Sequence, residues 1–134
     1  MLQNKKIEIA CFNFESALIA QKAGADRLEL CADISVGGRT PTLETIQQAC
    51  ENLTIDLYVM IRPRGGNFVY SEAEFEQMKS EIEIIKKLGV NGFVFGILKD
   101  DKTINLEQNK ALVDTISATI ILQTYLESIK TNTL

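Results

Sequence analysis

The segment IDLYVMIRPRGGNF, Ile55–Phe68, runs from an apolar stretch into a loop that sets two arginines around a proline and follows them with two glycines. Its first half, IDLYVMI, has the β-branched and aromatic content of a buried strand. Pro63 ends that strand, because proline has no N–H for the ladder and its ring keeps Arg62 out of helical space. The strand therefore finishes by projecting Arg62 and Arg64 from a loop that Gly65 and Gly66 leave free to bend. Guanidinium groups grip carboxylate or phosphate bidentately, and glycine lets backbone N–H groups approach the same anion. Function-bearing loops at the C-terminal ends of buried strands are the habit of parallel (β/α) folds.

The neighbouring sequence extends that reading. KKIEIA, Lys5–Ala10, alternates with Ile7 and Ile9 on one face and Glu8 and Ala10 on the other, a strand period. Asn13 is placed to cap a helix over Phe14 to Lys22 that Gly24 ends. DRLELC, Asp26–Cys31, alternates again, with Leu28 and Leu30 opposite Arg27, Glu29 and Cys31. Thr40 and Pro41 read as N-cap and first position of a second helix carrying Leu43, Ile46 and Cys50. After the arginine loop, Ser71 and Glu74 form a capping box, with Tyr70 and Phe75 at the positions of a hydrophobic staple. That third helix buries Phe75, Met78, Ile82 and Ile85, and Gly89 closes it. GFVFGIL, Gly92–Leu98, is a continuous apolar fourth strand. Asn105 and Gln108 open a fourth helix with Leu112, Val113 and Ile116. ATIILQ, Ala118–Gln123, reads as a fifth strand.

Strands alternating with helices four times predict a parallel sheet with right-handed crossovers, an α/β fold of (β/α) repeats. Residues 1–134 form one domain with no linker or low-complexity segment. Hydrophobic residues make up 46% of the chain and charged residues 24%, the balance of a globular protein with a real core. A net charge of −4 without a basic stripe argues against nucleic-acid and membrane-surface binding. No run reaches the ~18 apolar residues of a membrane span, and MLQNKKIEIA is too short and polar for a signal peptide. The expected location is the cytoplasm.

The absence of histidine restricts the chemistry. Metal ligation must use thiolate, thioether or carboxylate, and acid–base work must use carboxylate, Lys, Tyr or Cys. The aliphatic faces of the first two strands pack on helices, so Glu8, Arg27, Glu29 and Cys31 face a barrel interior or a crevice. Unpaired charge there costs several kcal/mol, so Glu8, Arg27, Glu29 and Arg62 are expected to pair with one another or with a ligand. Arg62 is expected to pair with a strand carboxylate. The loop Gly37-Gly38-Arg39 after the second strand precedes a helix N-terminus, which also favours anions.

ADRLELC, VGGRTPT, MIRPRGGNFVYS and NGFVFG resemble the signature segments of the CutC family, in that family's order. The likeness runs from Ile7 to Ile97 and weakens to Ser117. The resemblance implies a TIM-type barrel, here about half of a (β/α)8 barrel with roughly five strands and four helices. It also implies a cytoplasmic, often oligomeric protein assigned to copper homeostasis. The family's conserved polar positions fall on Glu8, Arg27, Glu29, Cys31, Arg62 and Arg64. The chain departs from the family at Ala10, where a cysteine is usual. Cys11 stands next to it and, by strand alternation, faces away from Glu8. IILQTYLESIKTNTL also stands where the family continues with a histidine and an arginine and three more strand–helix units.

Two functions follow from these residues. Soft sulfur ligands suit Cu(I), and Cys31 is the best candidate, with Cys11 behind it; Met60 is a further sulfur, while Cys50 and Met78 read as helix core. The rival is an enzyme or enzyme relic that binds a small anionic substrate through Arg27, Arg62, Arg64, Gly65 and Gly66, with Glu8 or Glu29 as acid–base. A half-barrel leaves sheet edges open, so the expected partner is a second copy in a homodimer.

Overall fold

Strands β1 (Glu8–Cys11), β2 (Arg27–Leu30), β3 (Asp56–Met60) and β4 (Gly92–Val94) form one parallel sheet in the order β1-β2-β3-β4. Between and after them come α1 (Phe14–Lys22), α2 (Leu43–Asn52), α3 (Glu72–Ile85) and α4 (Leu106–Ile116). The computed structural model describes residues 5–116. Four β/α units in sequence order around one parallel sheet are the repeat of a TIM-type barrel, about half of its eight units. The fifth strand expected over Ala118–Gln123 lies outside the described residues.

The register is what sorts the side chains. Ile9, Leu28 and Leu57 stand level, as do Cys11, Leu30, Val59 and Phe93. This face packs on the helices. Leu28, Leu30, Val59, Ile61 and Ile97 join Ile46, Met78, Ile82 and Leu112 in a single core, each at most 1% exposed. Burying each such side chain contributes roughly 1.5–3 kcal/mol. The opposite, inner face carries Glu8, Ala10, Arg27, Glu29, Tyr58, Met60 and Val94, in line with the strand period of two.

Local capping follows the sequence closely. Asn13 Oδ1 accepts from Ser16 N at 2.7 Å to open α1, and Gly24 leaves it at φ +101°. Ser71 and Glu74 form the reciprocal capping box of α3, and Tyr70 and Phe75 are both buried beside it. Asn105 Oδ1 accepts from Gln108 N at 3.0 Å at the start of α4.

Two boundaries move. The N-cap of α2 is Thr42, not Thr40, because the Thr40 hydroxyl is engaged elsewhere: it accepts from Arg62 N at 2.9 Å. Leu43, the first helical residue, faces outward, 48% exposed, and Ile46 and Ala49 are the buried residues of α2. Strand β4 stops at Val94 rather than Leu98. Asn109, buried on α4, takes Ile97 out of the ladder by accepting from its N–H at 3.2 Å and donating to its carbonyl at 2.9 Å. Leu98 then pairs antiparallel with Ile104.

Candidate functional site

The candidate residues occupy two levels: Glu8 and Arg27 open β1 and β2 at the N-terminal end of the sheet, whereas Arg62 and Arg64 lie past its C-terminal end. The lower level is the inner face of β1 and β2. Arg27 Nε donates to Glu8 Oε2 at 2.6 Å, and a salt bridge through Arg27 Nη2 reinforces the pair. The Arg27 guanidinium also lies 4.4 Å from the Tyr58 ring centroid, a cation–π contact. Glu8 and Arg27 therefore neutralise each other, as expected. Glu29 has no salt bridge among the described residues. Burial raises its carboxyl above the ordinary range, and the nearby Glu8 carboxyl adds to the rise.

Cys31 follows directly on β2 and is 2% exposed. Its Sγ lies 3.6 Å from Glu29 Oε1, so the thiol donates to the carboxylate. Burial, and then the negative charge of Glu29, push the thiol from 9.0 up to about 12. Gly38 forms the floor beside it, at φ +106°. A Cβ on Gly38 would stand 2.9 Å from Met60 Sδ and 3.5 Å from Cys31 Cβ, so only glycine leaves room for these two side chains. Cys11 is absent from this group. It is 1% exposed inside the helix-facing core, where burial raises its thiol as well.

The upper level is the loop after β3. Arg62 is only 8% exposed and does not pair with a strand carboxylate, which corrects the sequence expectation. Its Nη1 donates to the carbonyls of Val36 and Gly38, each at 2.7 Å, and its Nη2 donates to Gly66 O at 2.8 Å. The physical reason is reach. Arg62, two residues past the end of β3, lies beyond the level of Glu29, and the β2–α2 loop folds over it with the Val36 and Gly38 carbonyls turned inward. Phe68 covers the guanidinium, with the ring centroid 4.8 Å away.

Arg64 is committed differently. It grips Glu74 in a fork, Nε to Oε2 at 2.6 Å and Nη2 to Oε1 at 3.3 Å, and donates to the carbonyls of Gly65, Asn67 and Val69. Glu74 is held below the usual carboxylate range by the Ser71 N–H first and then by Arg64. Gly66 takes φ +90°, while Gly65 is needed because a Cβ there would sit 2.6 Å from Val36 Cβ. The two arginines thus organise the glycine loop and its neighbours from within. Arg39 donates to Pro63 O at 3.2 Å and ties the β2–α2 loop to the same place.

Sequence reasoning missed Tyr58 as a member of the inner face, although its spacing from Met60 and Arg62 carried that signal. It also missed Tyr70 beside Arg62 and the strap made by Asn109, for which no local pattern exists. Among the described residues there is no cluster of three His, Cys, Asp or Glu side chains able to hold a metal ion. Soft coordination would rest on Cys31, with the Met60 thioether as its near neighbour. No described helix is long and apolar enough to cross a membrane.

The CutC family model matches residues 5–125. A family protein CutC of Photorhabdus laumondii is 49% identical over 108 residues, covering 81% of this chain and 44% of the relative. Another from Mesorhizobium japonicum is 48% identical over 99 residues, covering 74% of this chain and 38% of the relative. The chain thus spans less than half the length of these curated relatives. The crystal structure of CutC from Streptococcus agalactiae, a protein assigned provisionally to copper homeostasis, superposes with a TM-score of 0.79 at 33% identity. That match covers 85% of this chain and 56% of the solved one.

Proposed function

The chain belongs to the CutC family, and on that premise we propose that it acts in copper homeostasis in the cytoplasm, holding Cu(I) as cargo through Cys31. The observation that carries the reading is the position of Cys31. Its thiol is on the inner face, against the Glu29 carboxylate and over Gly38 beside the Met60 thioether. Thiolate and thioether are the soft donors that Cu(I) prefers. Binding requires the thiol proton to leave, and Glu29 Oε1 at 3.6 Å is the base placed to accept it. All three cysteines are free, which fits a reducing compartment.

An anaerobic competition against a coloured Cu(I) chelator tests this. Cys31→Ser should weaken Cu(I) binding by about a hundredfold while Cys11→Ser leaves it within about twofold, because only the first thiol is on the inner face. Equal affinity in both variants would end the reading.

A second reading rests on a separate observation. Arg62 is a buried cation with no carboxylate partner among the described residues. Uncompensated buried charge is costly, and a small oxyanion would relieve it. Saturable stabilisation of the fold by phosphate or acetate, lost in Arg62→Lys, would support that reading; indifference to both anions would end it.

A further inference from the structure

Two buried polar atoms near the C-terminal end of β3 have no hydrogen-bond partner among the described residues: Arg62 Nε and Tyr70 Oη. Each belongs to a side chain only 8% exposed. Native interiors rarely leave such groups unpaired, so a missing partner is the first thing to look for. The two groups face each other: the Arg62 side chain comes within hydrogen-bonding range of the Tyr70 phenol and, with the charges of Arg62 and Arg64, acts against burial to lower its titration. Yet neither Arg62 Nε nor Tyr70 Oη has a partner in hydrogen-bond geometry among the described residues. The other face of Tyr70 is occupied: the Arg64 guanidinium stacks on the ring at 5.0 Å.

Charge sets the nature of the missing partner. Arg64 is balanced by Glu74 at 2.6 Å, whereas Arg62 is bonded only to the carbonyls of Val36, Gly38 and Gly66. The cluster therefore carries one positive charge in excess. Both orphan groups can donate, the guanidinium always and the phenol while it keeps its proton. Burial raises the phenol above its ordinary value, which keeps that proton at neutral pH. Above them lies Phe68, 40% exposed, on the segment that Gly65 and Gly66 precede and 4.8 Å from the Arg62 guanidinium. Gly66 takes the left-handed backbone that turns this segment over the arginine.

We propose that Arg62 Nε and Tyr70 Oη donate together to a single small oxyanion, a carboxylate or a phosphate, and that the Phe68 ring is the gate over it. The inference rests on the oxyanion reading of Arg62 and adds the residue that shares the anion and the residue that admits it. Arg64 has no part in binding: it positions the Tyr70 ring from behind.

The test uses the full chain, titrated with acetate and separately with inorganic phosphate. The Nε–H resonances of the arginines are followed by ¹H–¹⁵N NMR. One arginine Nε–H should shift saturably with at least one of the two anions and vanish from the spectrum in Arg62→Lys. Tyr70→Phe keeps the ring that Arg64 stacks on and should weaken the anion about tenfold, the scale of one charge-assisted hydrogen bond. Phe68→Ala should speed exchange of the anion by about tenfold, as removal of a gate does. If neither anion moves any Nε–H resonance, the orphan groups hold at most a water, and both the oxyanion reading and this inference fail. If an anion binds but Tyr70→Phe matches the parent within about twofold, Arg62 binds without Tyr70 and this inference alone fails.

Discussion

The Cys31 N–H donates to the Cys11 carbonyl at 2.8 Å, yet the two thiols leave the sheet on opposite sides. The register explains the separation. Cys11 stands level with Leu30, both toward the helices, and Cys31 is the next residue along. The two cysteines therefore do not stand side by side on one face of the sheet. Each is buried in a setting that disfavours its thiolate, Cys11 by desolvation alone and Cys31 by desolvation, then by the charge and hydrogen bond of Glu29, and least by Cys11.

That difference gives a pH signature. The Cys31 thiol is raised from 9.0 to about 12, so the fold favours its protonated form. Its contribution to stability is complete below pH 9 and drains away as the pH rises toward 12, because the unfolded chain loses the proton first. Tyr70, Cys11 and Cys50 shift in the same direction, so the parent protein alone does not isolate the effect. Urea titrations above pH 9 should show Cys31→Ser losing stability with pH less steeply than the parent. Parallel slopes would show that Cys31 is not held protonated.

The two loop arginines should differ in what they contribute. Removing Arg62 leaves the inward carbonyls of Val36, Gly38 and Gly66 without their donor. Arg62→Ala should cost on the order of 3–5 kcal/mol, since each orphaned buried acceptor costs about 1–3. Arg64 and Glu74 are partly exposed, and water can replace much of their pairing. Arg64→Ala should cost about 1–2 kcal/mol. Denaturant unfolding of both variants decides the ranking; equal losses would mean that Arg62 does not brace the loops.

What was legible in the sequence was what local chemistry dictates. Asn13, Ser71 with Glu74, and Asn105 cap helices through contacts three residues away, so their spacing is their structure. The faces of β1 and β2 were legible for the same reason, because alternation needs no knowledge of the rest of the fold, except that Ile7, expected beside Ile9, lies before β1 and is 58% exposed. Arg62 was placed at the right level but given the wrong partner. Two of its three acceptors are main-chain carbonyls 26 and 24 residues earlier, and the third is a loop carbonyl, none of which carries a side-chain signature. Thr40 misled for a related reason: a good N-cap residue was taken by a long-range bond to Arg62. Strand β4 was overextended to Leu98 in part because Asn109, 12 residues beyond Ile97, takes both backbone groups of Ile97 from another element.

Association is a further expected outcome. Among the described residues β1 and β4 each have an unpaired edge, and Glu8 and Ala10 on the inner face are exposed. Open edges offer unpaired backbone groups to another sheet. Sedimentation over a concentration series should reveal dimers or larger species in the micromolar range. A cooperatively unfolding monomer throughout that range would show that this half-sheet needs no cover.

The tightest packing on the inner face yields the sharpest prediction. A Cβ on Gly92 would stand 2.7 Å from Tyr58 Cε2 and 2.8 Å from Cζ, so the tyrosine ring fills the space a side chain would take. The ring cannot easily retreat, because its register position is level with Gly92 and its face carries Arg27 at 4.4 Å. Gly92→Ala should therefore destabilise by about 1–3 kcal/mol, the range of overpacking in a well-filled site. It should also loosen Arg27 from the ring and so disturb the Glu8 pair. In a Tyr58→Ala background the obstruction is gone, and the same Gly92→Ala change should cost close to nothing. A double-mutant cycle measures the coupling directly. A coupling near zero would mean that Gly92 is there for the backbone alone and that Tyr58 does not depend on it.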